Sequence, residues 1–196
     1  GQQVEETDTV QVGKKILQGK QTQKVLAFYK PVGVTCTERD PHAEKKIMDM
    51  IRYPERLTYA GRLDKDSEGL ILLTNDGDLI NAMMRGANRH EKEYIVKTDR
   101  EITPDFLEKM AKGIYLKDLD ITTRECEIEQ IGKFTFRIVL TQGVNRQIRR
   151  MCEACGYRVK ALKRIRIMNI LLGDLKPGKW REVTGEELEQ LQRDTG

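Results

Sequence analysis

The sequence predicts an α+β fold in which helices flank a central, mainly antiparallel sheet. Several short apolar or alternating segments are bounded by glycine, proline or asparagine, which is typical of strands. Isolated helical patterns with capping residues lie between groups of these segments instead of alternating strictly with them. With 196 residues, the chain is long enough for one domain with a substantial core.

The first half of the chain predicts strands joined by two helices. Residues 25–29, 57–60 and 69–74 are apolar and predict buried strands, and residues 94–96 predict a further one. We expect one helix to begin at Asp40-Pro41 and to present one apolar face, formed by Ile47, Met48 and Ile51. A second helix follows the turn at residues 75–77 and carries Leu79, Ile80, Met83 and Met84.

The second half predicts three helices and three strands. One helix begins at residues 103–105 and turns Phe106, Leu107 and Met110 inward. Residues 125–130 and 135–140 alternate as half-buried antiparallel strands do, with a tight turn at Gly132-Lys133. A basic helix over residues 145–155 ends near Gly156, and residues 160–167 alternate again. A capping box at residues 184–187 begins the last helix.

Composition excludes several classes of protein. No apolar run approaches the roughly 20 residues that span a bilayer, and no signal segment begins the chain. Four cysteines do not suggest a disulfide framework, so we predict a reducing, cytoplasmic location. Cys152 and Cys155 form one C-x-x-C, but no second pair or histidine has zinc-site spacing. We therefore favour two reduced thiols on a helix over metal or redox chemistry.

The distribution of charge is more informative than the net charge of +4. Residues 146–166 contain eight basic side chains and one acid, Glu153, so this segment carries +7 and the remainder −3. A basic stripe on a slightly acidic protein is typical of a nucleic-acid contact, although a solvated face is an equal alternative from charge alone.

The loop at residues 61–68 places a carboxylate and an arginine between two predicted buried strands. Catalytic groups often lie on loops that rigid strands hold in place. From this pattern alone, Asp64 is more often a turn residue than a catalytic one.

Five motifs resemble the RsuA/RluB/RluE/RluF family of bacterial pseudouridine synthases, which act on ribosomal RNA. G-R-L-D with S-E-G-L-I-L-L-T-N-D-G spans residues 61–77, and the K-P-x-G segment spans residues 30–33. K-x-Y lies at residues 92–94, G-V-N-R-Q-I-R-R-M at 143–151 and L-K-R-I-R-I at 162–167. The resemblance covers about residues 24–191. Residues 90–94 and 166–170 are most similar to the large-subunit RluF branch.

The resemblance implies the pseudouridine synthase fold, with a bent sheet, a central cleft and two subdomains that join near residue 85. It implies isomerisation of uridine to pseudouridine in ribosomal RNA, and in 23S rRNA in particular, without metal or cofactor. The domain would span residues 23–196. Residues 1–22 would be a tail, and residues 8–14 resemble the end of an N-terminal S4 RNA-binding domain.

Roles of individual residues follow from the same resemblance. Asp64 would attack C1′ or remove the 2′ hydrogen, and Arg149 would pair with it. Arg149 has a phosphate contact as its alternative. Tyr94 would pack on the uracil and help move the C5 proton, and Leu162 would close the other side of the base. The alternatives are an inward strand residue for Tyr94 and core packing for Leu162.

The remaining residues are assigned to RNA binding. Arg62 would fill the gap left by the flipped base or hold its phosphate, with a local salt bridge to Asp66 or Glu68 as the alternative. A phosphate-binding stripe would consist of Arg146, Arg150, Lys163, Arg164 and Arg166. We expect a monomer that binds structured RNA, with transfer RNA left open as a substrate. A small-subunit rRNA synthase and a non-catalytic RNA-binding or ribosome-assembly protein are the alternatives.

Overall fold

A computed structural model of the chain describes residues 22–36, 46–85 and 89–195. Within these ranges, one large sheet has the order β11-β1-β3-β9-β4-β8-β7. Its principal strands are β1 (Val25–Lys30), β3 (Glu68–Thr74), β4 (Lys92–Thr98), β7 (Glu127–Gly132), β8 (Thr135–Leu140), β9 (Val159–Ile167) and β11 (Trp180–Glu182). The described helices are α1 (Ile47–Met50), α2 (Gly77–Met84), α3 (Pro104–Lys112), α4 (Gln147–Ala154) and α5 (Gly185–Thr195).

Four short strands complete this part of the chain: β2 (Thr58–Tyr59) on β3, β10 (Ile170–Leu171) on β9, and a separate hairpin of β5 (Tyr115–Leu116) and β6 (Ile121–Thr122). The β3–β9 pair is parallel and the other described pairs are antiparallel. The structure therefore confirms the predicted α+β class with a mainly antiparallel sheet.

The parallel pair joins the two halves of the sheet at Gly69 and Arg164. Gly69 has a φ of +116°, and a Cβ at this position would lie 2.3 Å from the Arg164 carbonyl oxygen. Only glycine allows this conformation and this close approach without strain. The junction thus depends on the glycine within the S-E-G-L motif.

Three apolar clusters form the core. Leu26 and Phe28 of β1 pack with α1 on one face of the sheet, and Ala27 and Tyr29 pack with α2 and α5 on the other. The third cluster fills the space between β4, β8, β9, α3 and α4 around Phe136. The alternation along β1 follows the period of two that a strand imposes, and all six of its residues are buried.

Capping residues fix the ends of the helices as the sequence predicts. Asp76 accepts hydrogen bonds from the backbone N–H groups of Asp78 and Leu79, and Thr103 accepts one from Phe106 N at 3.1 Å. Gly156, with a φ of +82°, follows the end of α4. The predicted inward residues Ile47 and Ile51 are buried, although α1 is described only as one short turn.

Some details differ from prediction. Met84 is 61% exposed because it faces the cleft described below and not the core. The tight turn lies at Lys133 and Phe134, one residue later than predicted, because Gly132 still pairs with Thr135. The hairpin of β5 and β6 and the edge strand β11 were not predicted, since each has too few residues to establish a periodicity.

The predicted helix start at Asp40-Pro41 and residues 1–21 of the predicted tail lie outside the described residues. In the ranges that are described, no helix is long and apolar enough to cross a membrane.

Candidate active site

A cleft of about 320 Å³ opens where the two halves of the sheet meet. One wall is the loop at residues 61–67, between β2 and β3. The opposite wall is the segment at residues 142–149, which ends in α4, and the floor comes from β4 and β9. Side chains from these elements converge on the cleft. Those that could take part in binding or catalysis are Arg62, Asp64, Lys92, Tyr94, Arg146 and Arg149.

Contacts from neighbouring elements fix the backbone of the cleft loop. Gly33 N donates to the Lys65 carbonyl at 2.8 Å, and the Cys36 thiol donates to the Leu63 carbonyl at 3.2 Å. Ser67 N donates to the Asp64 carbonyl at 3.0 Å, which closes a turn around the carboxylate. The loop is therefore held rigidly, as a catalytic carboxylate requires.

The fully buried side chain of Lys30 also contacts this loop. Lys30 Nζ donates to the Pro31 and Val34 carbonyls, each at 2.7 Å, and to the Lys65 carbonyl at 3.4 Å. Burial lowers the pKa of Lys30 to about 8. The lysine of the K-P-x-G segment thus connects the end of β1 to the loop that carries Asp64.

Arg146 is the cation that contacts Asp64. Its Nη1 lies 3.2 Å from Asp64 Oδ2, and its guanidinium also binds both carboxylate oxygens of Asp66, at 3.1 and 3.0 Å. The hydrogen bond from Arg146 holds the pKa of Asp66 below its usual value. Arg146 has a left-handed backbone, with φ 52° and ψ 36°, at the N-cap of α4. One cation therefore orders two carboxylates of the loop.

The expected pairing of Arg149 with Asp64 is not found in this structure. Arg149 Nη2 instead donates to the Asp66 carbonyl at 3.0 Å and to Ser67 Oγ at 3.1 Å, and Nη1 lies 3.5 Å from Asp66 Oδ2. Arg149 lies one helical turn after Arg146, and both reach the same loop. Arg149 holds the backbone that follows Asp64, and Arg146, which was assigned to the phosphate stripe, contacts the Asp64 carboxylate.

Tyr94 and Leu162 both line the cleft, from β4 and β9. Leu162 is also 6% exposed and belongs to the apolar cluster against which Tyr94 packs. The cleft role and the core role of Leu162 are thus compatible. The Tyr94 hydroxyl makes no hydrogen bond to any described residue, so it is free to contact a ligand in the cleft.

Two members of the predicted phosphate stripe, Arg164 and Arg166, make their contacts within the protein. Arg164 is 3% exposed and donates to the Leu70 carbonyl at 2.8 Å and the Arg62 carbonyl at 3.2 Å. Arg166 binds Glu91 and Glu93 at 3.1 and 2.7 Å. Basic residues on one strand point to both faces of a sheet, which charge counting along the sequence does not separate.

Two further members of the stripe lie outside the cleft. Lys163 pairs across the sheet with Ile95, and Ile95 pairs with Arg137, so these three side chains share one face. That face carries ion pairs of Arg137 with Glu93 and Glu129. Arg150 donates to the Asn145 carbonyl at 2.9 Å and does not line the cleft.

Arg62 is exposed at the cleft, two residues before Asp64. The alternative of a local salt bridge is not supported, because Asp66 pairs with Arg146 and Arg149, and Glu68 accepts a hydrogen bond from Tyr29. Among the described residues, none forms an ion pair with Arg62, and its guanidinium is free to meet a phosphate or a base.

Comparison with known proteins identifies the family to which the chain belongs. A family model described as RNA pseudouridylate synthase matches residues 24–154, which is more than half of the chain. The chain belongs to the RNA pseudouridylate synthase family. Within that family, it is 44% identical over 193 residues to the dual-specificity RNA pseudouridine synthase RluF of Escherichia coli K12. The matched part covers 97% of this chain and 66% of RluF, just under two thirds.

Other members of the RNA pseudouridylate synthase family are also similar. An uncharacterized RNA pseudouridine synthase of Aquifex aeolicus is 34% identical over 97% of this chain and 80% of its own length. The ribosomal large subunit pseudouridine synthase B of Vibrio cholerae is 34% identical over 86% of this chain and 54% of its own length.

Solved structures support the same fold. A crystal structure of a pseudouridylate synthase has a TM-score of 0.82 and 29% identity, and the match covers 89% of this chain and 76% of that one. A chain in the archaeal box H/ACA Nop10–Cbf5 complex has a TM-score of 0.52 over 76% of this chain and 49% of its own. At 18% identity, this second likeness shows the fold alone.

Sequence reasoning missed the roles of Lys92 and Ser67. Lys92 lines the cleft floor, and Ser67 accepts the hydrogen bond from Arg149. Both residues belong to motifs that carry the resemblance, so the sequence could have indicated that they lie near the site. Their contacts depend on how β3, β4 and α4 meet, which no local pattern encodes.

The cysteines of the C-x-x-C are free thiols on and after α4. Burial raises the pKa of Cys152 to about 12 and raises that of Cys155 as well. Both thiols are therefore protonated near neutral pH, which disfavours thiolate chemistry.

Proposed function

We propose that this chain converts a uridine of structured RNA, and of ribosomal RNA in particular, into pseudouridine, with Asp64 as the catalytic carboxylate. The observation that carries the proposal is the position of Asp64. Its side chain is 34% exposed in a cleft shared with Tyr94, on a loop that other elements hold rigidly. A buried or purely structural aspartate would not face a cleft that a base can enter.

The chemistry matches the groups present. Isomerisation breaks the C1′–N1 bond, turns the uracil and forms a C1′–C5 bond, after which C5 loses a proton and N1 gains one. No net oxidation or reduction occurs, so the proposed reaction needs no redox cofactor. Asp64 would attack C1′ or remove the 2′ hydrogen. Tyr94 would pack on the ring, with its hydroxyl available to help move the C5 proton.

The size of the cleft suits one extruded nucleoside. Its volume of about 320 Å³ lies at the low end of the range for small-ligand pockets. A base stacked in a duplex does not reach a cleft of this kind, so the target uridine would leave its stack. Arg62 at the cleft would then occupy the vacated space or bind the displaced phosphate.

The names of two relatives support a ribosomal substrate. RluF is named as dual-specific, and the Vibrio cholerae relative is named for the large ribosomal subunit. We therefore propose 23S rRNA as the principal substrate and transfer RNA as a second class to be tested. We also propose that the chain acts as a monomer in the cytoplasm, where these RNAs are made.

The experiment is tritium release from RNA transcripts labelled with [5-³H]uridine. The 23S, 16S and transfer RNA transcripts are each incubated with the parent chain and with the variants Asp64→Asn and Asp174→Asn. Asp174 is exposed and provides a matched control for the same substitution. We expect release from 23S rRNA with the parent and the control but not with Asp64→Asn.

Other outcomes separate the alternatives. Release from 16S rRNA alone would favour a small-subunit enzyme. Binding of RNA without release from any transcript would favour a non-catalytic RNA-binding or ribosome-assembly protein. Equal release by all three proteins would reject Asp64 as the catalytic group.

A further inference from the structure

Lys92 occupies the floor of the cleft at the start of β4. Its backbone pairs with Leu140 of β8 on one side and with Ile167 of β9 on the other, so it lies inside the sheet and not at an edge. Tyr94 follows two residues later, and alternate residues of a strand share a face. Both side chains line the cleft that contains Asp64.

The ammonium of Lys92 has no counterion among the described residues. The acids on either side of it in sequence, Glu91 and Glu93, are bound by Arg166 at 3.1 and 2.7 Å. The arginines at the cleft that reach oxygen atoms, Arg146, Arg149 and Arg164, are engaged by the loop. Lys92 is therefore an uncommitted cation in a partly desolvated site.

Its surroundings oppose its charge. Burial lowers the pKa of Lys92 to about 8, and the neighbouring charge of Arg164 contributes to the shift. Lys92 still carries a proton at pH 7, but the charged form is destabilised. An anion that binds next to this ammonium would stabilise its charged form. Groups with shifted pKa values of this kind cluster at functional sites.

The proposed reaction creates such an anion. When the C1′–N1 bond breaks, its electron pair stays on the uracil, and the negative charge spreads to the ring carbonyl oxygens. The anion persists until C5 bonds to C1′. A preorganised cation at this point stabilises the charge that develops in the transition state without having to reorganise. A charged donor also forms a stronger hydrogen bond than a neutral one.

We propose that Lys92 is a further catalytic residue, whose ammonium donates a hydrogen bond to a carbonyl oxygen of the uracil anion between bond cleavage and bond formation. This inference rests on the proposed function of the cleft. Two other roles are distinguishable from it. Lys92 would act as a base if its neutral amine removed the C5 proton, and it would be structural if only its aliphatic stem mattered.

The test compares Lys92→Met, which removes the charge at similar length, with Lys92→Arg, which keeps the charge but cannot serve as a base near neutral pH. Lys97→Met on the same strand is the control, because Lys97 is exposed and does not line the cleft. Single-turnover rates of C1′–N1 cleavage, followed as loss of the original target nucleoside from nuclease digests, are measured at saturating enzyme on RNA with uridine or 5-fluorouridine at the target position, because C5 of 5-fluorouridine has no proton to lose.

Fluorine withdraws electrons and makes the departing base a more stable anion, so 5-fluorouridine depends less on help from Lys92. We expect Lys92→Met to lose about a hundredfold in rate on uridine, the usual effect of removing one donor to a developing anion. We expect a loss at least tenfold smaller on 5-fluorouridine. Lys92→Arg should keep most of the uridine rate, and Lys97→Met should match the parent.

Two results would overturn the proposal. Equal losses on both bases would make Lys92 structural, and a rate for Lys92→Arg as low as that of Lys92→Met would make it a base. An inactive parent chain, by contrast, would reject the proposed function itself, so the two failures are distinguishable.

Discussion

Arg146 and Asp64 form an ion pair at 3.2 Å between α4 and the cleft loop, although they are far apart in sequence. Because the same guanidinium binds Asp66 through two hydrogen bonds, the carboxylate of Asp64 is held on one side by a cation that is itself fixed. A planar arginine suits this geometry better than a lysine, which offers a single point charge.

Arg146→Lys should therefore lower activity even though the charge is kept. We expect a rate about ten- to a hundredfold lower, because the two-pronged contact with Asp66 is lost and Asp64 becomes misplaced. Single-turnover tritium release measures the effect. Arg52→Lys, at an exposed position outside the cleft, provides the control. Full activity of Arg146→Lys would mean that the ion pair does not position Asp64.

Gly69→Ala should destabilise the whole domain. The added Cβ would lie 2.3 Å from the Arg164 carbonyl oxygen in a backbone with φ of +116°, so the parallel junction of β3 and β9 has to open. We expect a loss of about 3 kcal/mol or more in the free energy of unfolding by urea. Gly77→Ala is the control, because a Cβ added at Gly77 would have no atom within 4 Å among the neighbours considered. A similar stability of the two variants would contradict the close approach at Gly69.

Lys92→Met should stabilise the folded chain at pH 7. The pKa of Lys92 in the folded chain, about 8, lies below its ordinary value of 10.5 in the unfolded chain, so folding destabilises the protonated form of Lys92. Removing the charge should raise the free energy of unfolding by about 1 to 3 kcal/mol at pH 7.

The gain should fade with rising pH. Above about pH 8, Lys92 of the folded parent loses its proton and the penalty is relieved, and the relief is complete near 10.5. Urea unfolding of parent and variant at pH 7 and pH 9.5 measures the difference. The ionisable groups that share the cleft, and that remain in both proteins, are Arg62, Asp64, Tyr94, Arg146, Arg149 and Arg164. A gain independent of pH would assign the effect to packing and not to charge.

Arg62 and Arg166 should differ in their contributions to RNA binding. Arg62 is exposed at the cleft, whereas Arg166 is neutralised by Glu91 and Glu93. Arg62→Gln should reduce the slope of log K against log salt by about one, as the loss of one phosphate contact does. Arg166→Gln should leave the slope unchanged in filter-binding titrations. Equal changes would favour the predicted stripe, in which Arg166 also binds phosphate.

The fold was predictable to the extent that local patterns encode it. The buried strand β1, the capped helices α2 and α3 and the hairpin of β7 and β8 all follow from periodicity and from capping residues such as Asp76 and Thr103. The parallel pairing of β3 with β9 was not predicted, because the strands are distant in sequence and their junction depends on a single glycine.

The candidate site shows the same division. Motifs identified Asp64, Tyr94 and Arg149 as members of one site, and the structure brings all three to one cleft. The choice between Arg146 and Arg149 as partner of Asp64 was not predictable, because the two lie one turn apart on the same loop-facing side of α4. The burial of Arg164 depends on the strand β3 beside it, which the residue sequence of β9 does not reveal.

We propose that Asp64, and not the neighbouring carboxylate Asp66, performs the chemistry. Both contact Arg146, so Asp64→Asn and Asp66→Asn disturb the same cation. The most direct measurement is single-turnover tritium release from [5-³H]uridine-labelled 23S rRNA by the two variants. We predict a loss of at least about a thousandfold for Asp64→Asn and a much smaller loss for Asp66→Asn. Comparable losses for both variants, or a larger one for Asp66→Asn, would contradict the assignment of Asp64 as the catalytic carboxylate.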